Sequence, residues 1–292
     1  MSTYSIKDLE HLSGIKAHTL RVWEQRYNIV NPKRTDTNIR YYDVEDLKLV
    51  LNISLLNEHG FKISKIARMT PDAMQREITS LTQRSNTYSD QIQALTVSMI
   101  DLDEERFEKT MATNILQHGF EKTMLNVIYP FLHKIGLLWQ TGAVNPAQEH
   151  FITYLIRQKL IVAIDGQLAH SHSGQKKFIL FLPDGELHEL SLLFANFLVR
   201  SRQHKVIYLG QSMPYEDVVE AHRIHEPEYI FSIITTMPGP SDIQAYVDRL
   251  GGGFPGSTVL LTGFQVVGQD LQVPDNVRIL NRMDELIELL EA

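Results

Sequence analysis

Five short apolar runs, KKFILFL, KVIYLG, YIFSIITT, STVLLTG and NVRIL, follow one another from residue 176 onward. Helical patterns separate most of them (ELHELSLLFANFLVRSR, YEDVVEAHRIH and SDIQAYVDRL), and MDELIELLEA closes the sequence. A strand that is apolar along its whole length has to be covered on both faces. Alternating strands and helices achieve this by placing helices above and below a parallel sheet. Residues 173–292 are therefore expected to form a doubly wound α/β domain with a five-stranded parallel sheet. If the strand order is 2-1-3-4-5, it reverses between the first and third strands, and a ligand binds there, outside the carboxyl ends of the strands.

Residues 71–172 have a different texture. DAMQREITSLTQ, FEKTMATNILQHG and EKTMLNVIYPFLHKIGLLW are amphipathic at helical spacing, which predicts a compact helical bundle. In NPAQEHFITYLIRQKL, Asn145 stands as an N-cap, Pro146 takes the first helical position and Gln148 closes a capping box. The polar stretch HSHSGQKK marks the boundary with the sheet, and His170 and His172 within it read as solvated linker residues rather than metal ligands.

Residues 1–70 read as short helices broken by a basic turn. Ser5 precedes IKDLEHLS, whose Ile6, Leu9 and Leu12 recur at helical spacing until Gly14 ends the run. KAHTLRVWEQRY follows with Leu20, Trp23 and Tyr27 on one face, which makes a helix-turn-helix. NPKRTDTNIRYYD is turn-rich and bounded by β-formers, a hairpin or wing, and two more helices follow in VEDLKLVLNISLLNEHG and KISKIARM. Burying the apolar face leaves His18, Thr19, Arg21, Glu24, Gln25 and Arg26 exposed for a DNA groove. Lys33, Arg34 and Arg40 would meet phosphates from the wing, and Tyr41 and Tyr42 would pack or bond to the backbone. By pattern alone, the same residues read equally as a charged helix in a small bundle.

Composition narrows the chemistry. The net charge of −7 excludes a protein coated throughout by nucleic acid, but residues 1–70 hold 11 Lys and Arg against 8 Asp and Glu while the remainder holds 17 against 27. A polyanion is thus expected at the N-terminal end. The absence of cysteine removes disulfides, iron–sulfur clusters and thiolate ligands, leaving His, Asp and Glu. No stretch approaches the roughly 20 consecutive apolar residues of a membrane span. MSTYSIKDLE lacks the pattern of a signal peptide, so a cytoplasmic location without a membrane partner is expected.

One histidine occupies the expected ligand position. GELHELS follows the first apolar strand and places His188 two residues after Glu186. A metal-bound imidazole usually donates its other N–H to a carboxylate, and Glu186 could be that carboxylate. Taken alone, His188 reads as an exposed residue flanking a helix start.

Three resemblances join these segments. KAHTLRVWEQRYNIV, with the wing ending in IRYYDVEDL, resembles the MerR family of winged-helix regulators at Thr19, Arg21, Trp23, Glu24, Arg40, Tyr41, Asp46 and Leu47. This implies binding of double-stranded promoter DNA by a dimer on a near-palindromic site. Arg21, Arg40 and Tyr41 would contact phosphates, with His18 and Thr19 near bases. Trp23 reads as a contact or as a partly buried packing residue. GELHELS in turn resembles the cobalamin-binding motif in which an acidic residue, a spacer and a histidine precede a glycine. Ser232 matches that family's serine-containing strand end, and Thr262-Gly263 falls where it shows paired glycines. The implication is a corrinoid whose nucleotide tail is buried in the α/β domain, with His188 as lower ligand to cobalt and Glu186 behind it. Trp139, nine intervening residues and Glu149-His150 resemble the cap of cobalamin-dependent MerR-type photoregulators, which encloses the adenosyl group over the upper face of the corrin.

The resemblance has three departures. Ser191 and Thr262 stand where the motif has glycine, and Gln140 stands where light-sensing relatives often carry histidine. The leading expectation is a non-enzymatic regulator that binds adenosyl- or methylcobalamin and couples ligand or light state to dimer or tetramer formation and DNA occupancy. Two alternatives are a regulator whose α/β domain has lost cobalamin for a protein or another small molecule, and a corrinoid methyl carrier.

Overall fold

The computed structural model describes residues 3–30, 32–35, 38–84, 88–140, 144–167, 174–239 and 242–292. The chain forms two compact units, Met1–Leu155 and Ile156–Ala292. His170 and His172 lie outside the described residues.

The first unit begins with helices α1 (Ile6–Ser13) and α2 (Ala17–Tyr27). Ser5 and Asp8 each accept the other's backbone N–H, closing a capping box, and Gly14 ends α1 in the left-handed region at φ 74°. Strands β1 (Lys33–Arg34) and β2 (Arg40–Tyr41) pair antiparallel, Lys33 opposite Tyr41 and Arg34 opposite Arg40, which is the expected wing. Asp43 and Asp46 form a second capping box that starts α3 (Val44–Glu58). Helix α4 (Ile63–Ile66) is shorter than KISKIARM suggests. Beyond it, Arg68 and Met69 bond three residues back, to Lys65 and Ile66, so the chain leaves the α-helical ladder.

The bundle of the first unit contains α5 (Pro71–Arg84), α6 (Tyr88–Asp101), α7 (Glu104–His118), α8 (Phe120–Thr123), α9 (Tyr129–Gln140) and the start of α10 (Pro146–Asp165). Leu95, Phe107, Met111, Val127, Phe131 and Ile152 are buried, and each such side chain stabilises the fold by about 1.5–3 kcal/mol. The run EKTMLNVIYPFLHKIGLLW is not one uniform helix. It turns π-helical over Met124–Ile128, just before Pro130, which has no N–H to return to the ladder. The boundary before α10 is as expected: Asn145 Oδ1 accepts Gln148 N–H at 3.0 Å, and Gln148 Oε1 accepts Asn145 N–H at 3.2 Å.

The second unit is built on a parallel sheet of β3 (Lys177–Pro183), β4 (Lys205–Met213), β5 (Tyr229–Ile233), β6 (Thr258–Thr262) and β7 (Val277–Ile279), in the order β4-β3-β5-β6-β7. This is the order 2-1-3-4-5, with the reversal between β3 and β5. Helices α11 (Leu190–Ser201), α12 (Tyr215–His225), α13 (Ile243–Gly253) and α14 (Met283–Glu291) connect and cover the strands. Ile179, Phe181, Ile230, Ile234, Val259 and Leu261 pack with Val218, Val247, Leu250 and Phe254 in one core. Strand alternation thus gives way to continuous burial, as a sheet covered on both faces requires. One helix differs from the sequence pattern. ELHELSLLFANFLVRSR becomes helical only at Leu190, because Glu186 captures the N–H groups of Leu187 and His188 and holds them in a loop.

Candidate functional site

Glu186 lies at the carboxyl end of β3, beside the reversal of strand order, and is fully buried. Its Oε1 accepts Leu187 N–H at 3.1 Å, His188 N–H at 3.2 Å and the His188 Nδ1 proton at 2.5 Å. Its Oε2 faces the loop after β5 and accepts the N–H groups of Thr235 at 3.0 Å, Thr236 at 2.6 Å and Met237 at 3.2 Å, with Thr236 Oγ1 at 3.1 Å. One carboxylate therefore spans the two strands that flank the switch point. Burial pushes its pKa up, but the donors from Thr236, His188 and Met237 outweigh burial and hold it at about 2.

That ionisation fixes which way the Nδ1 contact runs. An ionised carboxylate only accepts, so the Nδ1 facing it carries a proton, and the tautomer compatible with this contact has its lone pair on Nε2. Nε2 makes no hydrogen bond among the described residues, and the side chain is 61% exposed. The arrangement is an exposed imidazole fixed through one nitrogen. Around it, Leu187, Met237 and Phe264 are exposed apolar side chains on the loops after β3, β5 and β6. Exposed apolar groups gathered at one end of a sheet mark a surface that takes a ligand.

The remaining expected positions vary in what they contribute. Ser232 lies inside β5, fully buried, and its Oγ has no hydrogen-bond partner among the described residues. Gly263 follows β6 at φ 111°, so close to the preceding strand end that a Cβ would stand 2.4 Å from Ile234 O. Thr262 is half-buried at the end of β6, and Ser191 is half-buried in the first turn of α11.

Several partners were not visible in the sequence. The N–H groups of Thr235, Thr236 and Met237 become ligands of Glu186 only through the tertiary fold. Gln265 donates to Thr236 O at 2.9 Å and Pro238 O at 2.8 Å. Glu189, the N-cap of α11, is ion-paired through Oε1 with Arg157 Nε at 2.5 Å.

In the first unit, Glu149 and His150 stand in the opening turns of α10. His150 Nε2 is 3.5 Å from Glu149 Oε2, its side chain is mostly exposed, and its ring lies 6.2 Å from that of Tyr154. Trp139 lies in α9; its side chain and that of Gln140 are outside the described residues.

The helix-turn-helix exposes His18, Arg21, Gln25 and Arg26 along α2, with Thr19 half-buried. Trp23 is half-buried against a cluster that includes Ile53 and Leu56, so it packs between helices. Glu24 accepts the hydroxyl of buried Tyr42. On the wing, Lys33 is ion-paired with Asp43 and holds that carboxyl below its ordinary range. Arg34 Nη1 donates to Asn38 Oδ1 at 2.6 Å. Tyr41 is half-buried. Arg26 lies over the Tyr27 ring, whereas Arg21 and Arg40 have no ion-pair partner among the described residues and are exposed.

Comparison with known proteins matches two segments of the chain. Residues 4–73 match the family model described as MerR HTH family regulatory protein, and residues 91–163 match that described as B12 binding domain. The chain is a MerR-type transcriptional regulator with a B12-binding domain, and its cofactor is cobalamin. It is homologous to two proteins of Myxococcus xanthus. HTH-type transcriptional repressor CarH is 25% identical over 260 residues, covering 87% of this chain and 86% of the relative. HTH-type transcriptional repressor CarA is 25% identical over 214 residues, covering 73% and 69%. The monomethylamine corrinoid protein of Methanosarcina barkeri shares the fold at a TM-score of 0.52 and 11% identity, over 70% of this chain and 99% of that one. Among the described residues, no helix is long and apolar enough to cross a membrane.

Proposed function

We propose that the regulator binds cobalamin through the second unit with His188 Nε2 as lower axial ligand, and that the corrinoid state sets oligomerisation and DNA occupancy. The observation that carries this reading is the Glu186–His188 pair, which holds the imidazole by Nδ1 and leaves Nε2 without a hydrogen bond among the described residues at the switch point of the sheet. The residues fit the group. Ser232 Oγ is a buried hydroxyl awaiting an acceptor, suited to the nucleotide tail, and the apolar rim suits a large macrocycle. Among the described residues, no three His, Asp or Glu gather around a common point, so a single imidazole suits a metal that brings its other ligands with it.

Bound cobalamin would supply a cobalt centre with an exchangeable ligand position and a light-cleavable cobalt–carbon bond. Glu186 fixes the ring and raises its basicity, and His188 supplies the nitrogen. Ser191, Thr262 and Gly263 belong to the same cofactor-binding surface. Trp139, Glu149 and His150 are cofactor-binding residues by the resemblance of their order and spacing. On the DNA, Arg21 and Arg40 are the phosphate contacts, followed by Arg26, Lys33, Arg34 and Tyr41, while His18 and Thr19 reach base edges. A corrinoid changes promoter occupancy only through different affinities for the oligomeric states it connects, a dimer or a tetramer.

The test is to load the full chain with adenosylcobalamin or methylcobalamin in the dark, desalt it and record the absorption spectrum. Retained corrinoid with a histidine-ligated spectrum, lost in His188→Ala, is the expected result. An unchanged spectrum in that variant overturns the ligand assignment. Gel filtration before and after illumination then tests the coupling to assembly; identical elution of apo, loaded and illuminated protein overturns it.

A further inference from the structure

We propose that Gln265 is a positioning residue for the His188 imidazole. It grips the carbonyls of the loop after β5, and so aims that loop's N–H groups at Glu186. The inference rests on the reading of His188 as the cobalt ligand for its functional meaning, but its geometry is independent of that reading.

The loop after β5 is held from two sides by two buried polar side chains. Glu186 Oε2 gathers three consecutive N–H groups, those of Thr235, Thr236 and Met237. Three neighbouring amides converge on one oxygen only in a concave, anion-binding backbone conformation, and their carbonyls must then point elsewhere. Gln265 takes two of those carbonyls, Ile234 O and Thr236 O, and Pro238 O just beyond them. Its own N–H donates to Ile234 O at 3.1 Å, and its side-chain Nε2 donates to Thr236 O at 2.9 Å and Pro238 O at 2.8 Å. Both amide hydrogens are thereby used, and two carbonyl acceptors require the nitrogen rather than the oxygen of the amide to face them. Gln265 is only 8% exposed. Gly263 makes the approach feasible, since any side chain there would strike the Ile234 backbone.

A side-chain amide meets this demand most easily. A carboxylate would only accept, a hydroxyl has one hydrogen, and a lysine or arginine would bring a charge into a buried place. Without the grip, Thr236 and Met237 still reach solvent, so water can serve the freed carbonyls and the sheet stays folded. The N–H array would lose its convergence. Glu186 would then be free to turn, and His188 Nδ1–H would lose its fixed acceptor.

The test uses the full chain without corrinoid, labelled with ring-15N histidine, at a pH where the ring is neutral. His188 signals are assigned by their loss in His188→Ala. The wild type is expected to show the Nδ1–H tautomer alone. Gln265→Met, which keeps the length but removes both donors, and Gln265→Glu, which keeps the shape but reverses the polarity, should show the Nε2–H form beside it. Glu186→Ala should give the same mixture, and combining it with Gln265→Met should add nothing, because both act on one pathway. In loaded protein, Gln265→Met should weaken cobalamin retention about tenfold, the usual cost of losing an outer partner of a metal ligand. A Gln265 variant with wild-type near-ultraviolet dichroism and an unmixed Nδ1–H tautomer overturns the proposal. If wild-type protein shows the single tautomer and the variants mix it, yet no corrinoid is retained, the ligand assignment fails and the positioning role stands.

Discussion

Gly263 and Ile234 are in direct backbone contact across the ends of β6 and β5. A Cβ on the glycine would lie 2.4 Å from Ile234 O and 2.8 Å from both Ile234 C and N. The glycine also takes φ 111°, a region that L side chains rarely enter. Strained backbone and overlap against a main chain add, so Gly263→Ala should destabilise the second unit by about 3 kcal/mol or more. Urea unfolding followed by circular dichroism measures this. A loss below about 1 kcal/mol would mean that the two strand ends separate easily, contrary to the contact.

Acid should loosen the same region through Glu186. Its carboxyl has a pKa of about 2 when folded against the ordinary 4.5, so the folded state binds fewer protons than the unfolded one. The associated stability is complete above pH 4.5 and is lost as the pH falls towards 2, in total on the order of 3 kcal/mol. Other carboxylates titrate in that window, so the informative quantity is the stability difference between wild type and Glu186→Gln. It should shrink from pH 5 to pH 2; a constant difference would count against the hydrogen-bonded carboxylate.

Tyr208 carries a cost that can be removed. Its hydroxyl is buried with no hydrogen-bond partner among the described residues, and burial followed by the charge of Glu189 raises its pKa. Tyr208→Phe deletes the unsatisfied group and keeps the ring. The unfolding midpoint should rise, by about 1 kcal/mol in stability. A comparable fall would reveal a partner of that hydroxyl, most simply a bound water.

On the DNA side, exposed cations should separate by their existing bonds. Arg40 has no ion-pair partner among the described residues, whereas Lys33 is engaged with Asp43. Arg40→Ala should weaken binding to all duplexes similarly and make the salt slope shallower by about one. Lys33→Ala should change the slope less, because that ammonium first has to leave its carboxylate. Titrations of fluorescent duplex at several salt concentrations distinguish the two; equal slope changes would show that the Lys33 pair opens freely.

Much of this architecture is legible in the sequence. The apolar runs marked the five strands because a doubly covered sheet leaves no polar face to confuse the pattern. Asn145 and Gln148 marked the start of α10 because a capping box is a local device, written in four consecutive residues. Glu186 and His188 were legible for the same reason: two residues apart, they can meet without help from the fold. Thr235 to Met237 and Gln265 were not, since their backbone groups converge only when β3, β5 and β6 lie side by side. Residues 186–189 have helical spacing, yet they form a loop. The carboxylate of Glu186 competes for the N–H groups that a helix would use, and a pattern of apolar positions does not register that competition.

The seven donors around Glu186 all come from its own unit, from Leu187 and His188 and from Thr235 to Met237. The imidazole next to it has therefore given up much of its rotational freedom during folding, before any partner arrives. Association need not wait for the ring to find its orientation, and little ordering remains to oppose it. Such a socket should capture its guest at a speed set by encounter rather than by rearrangement.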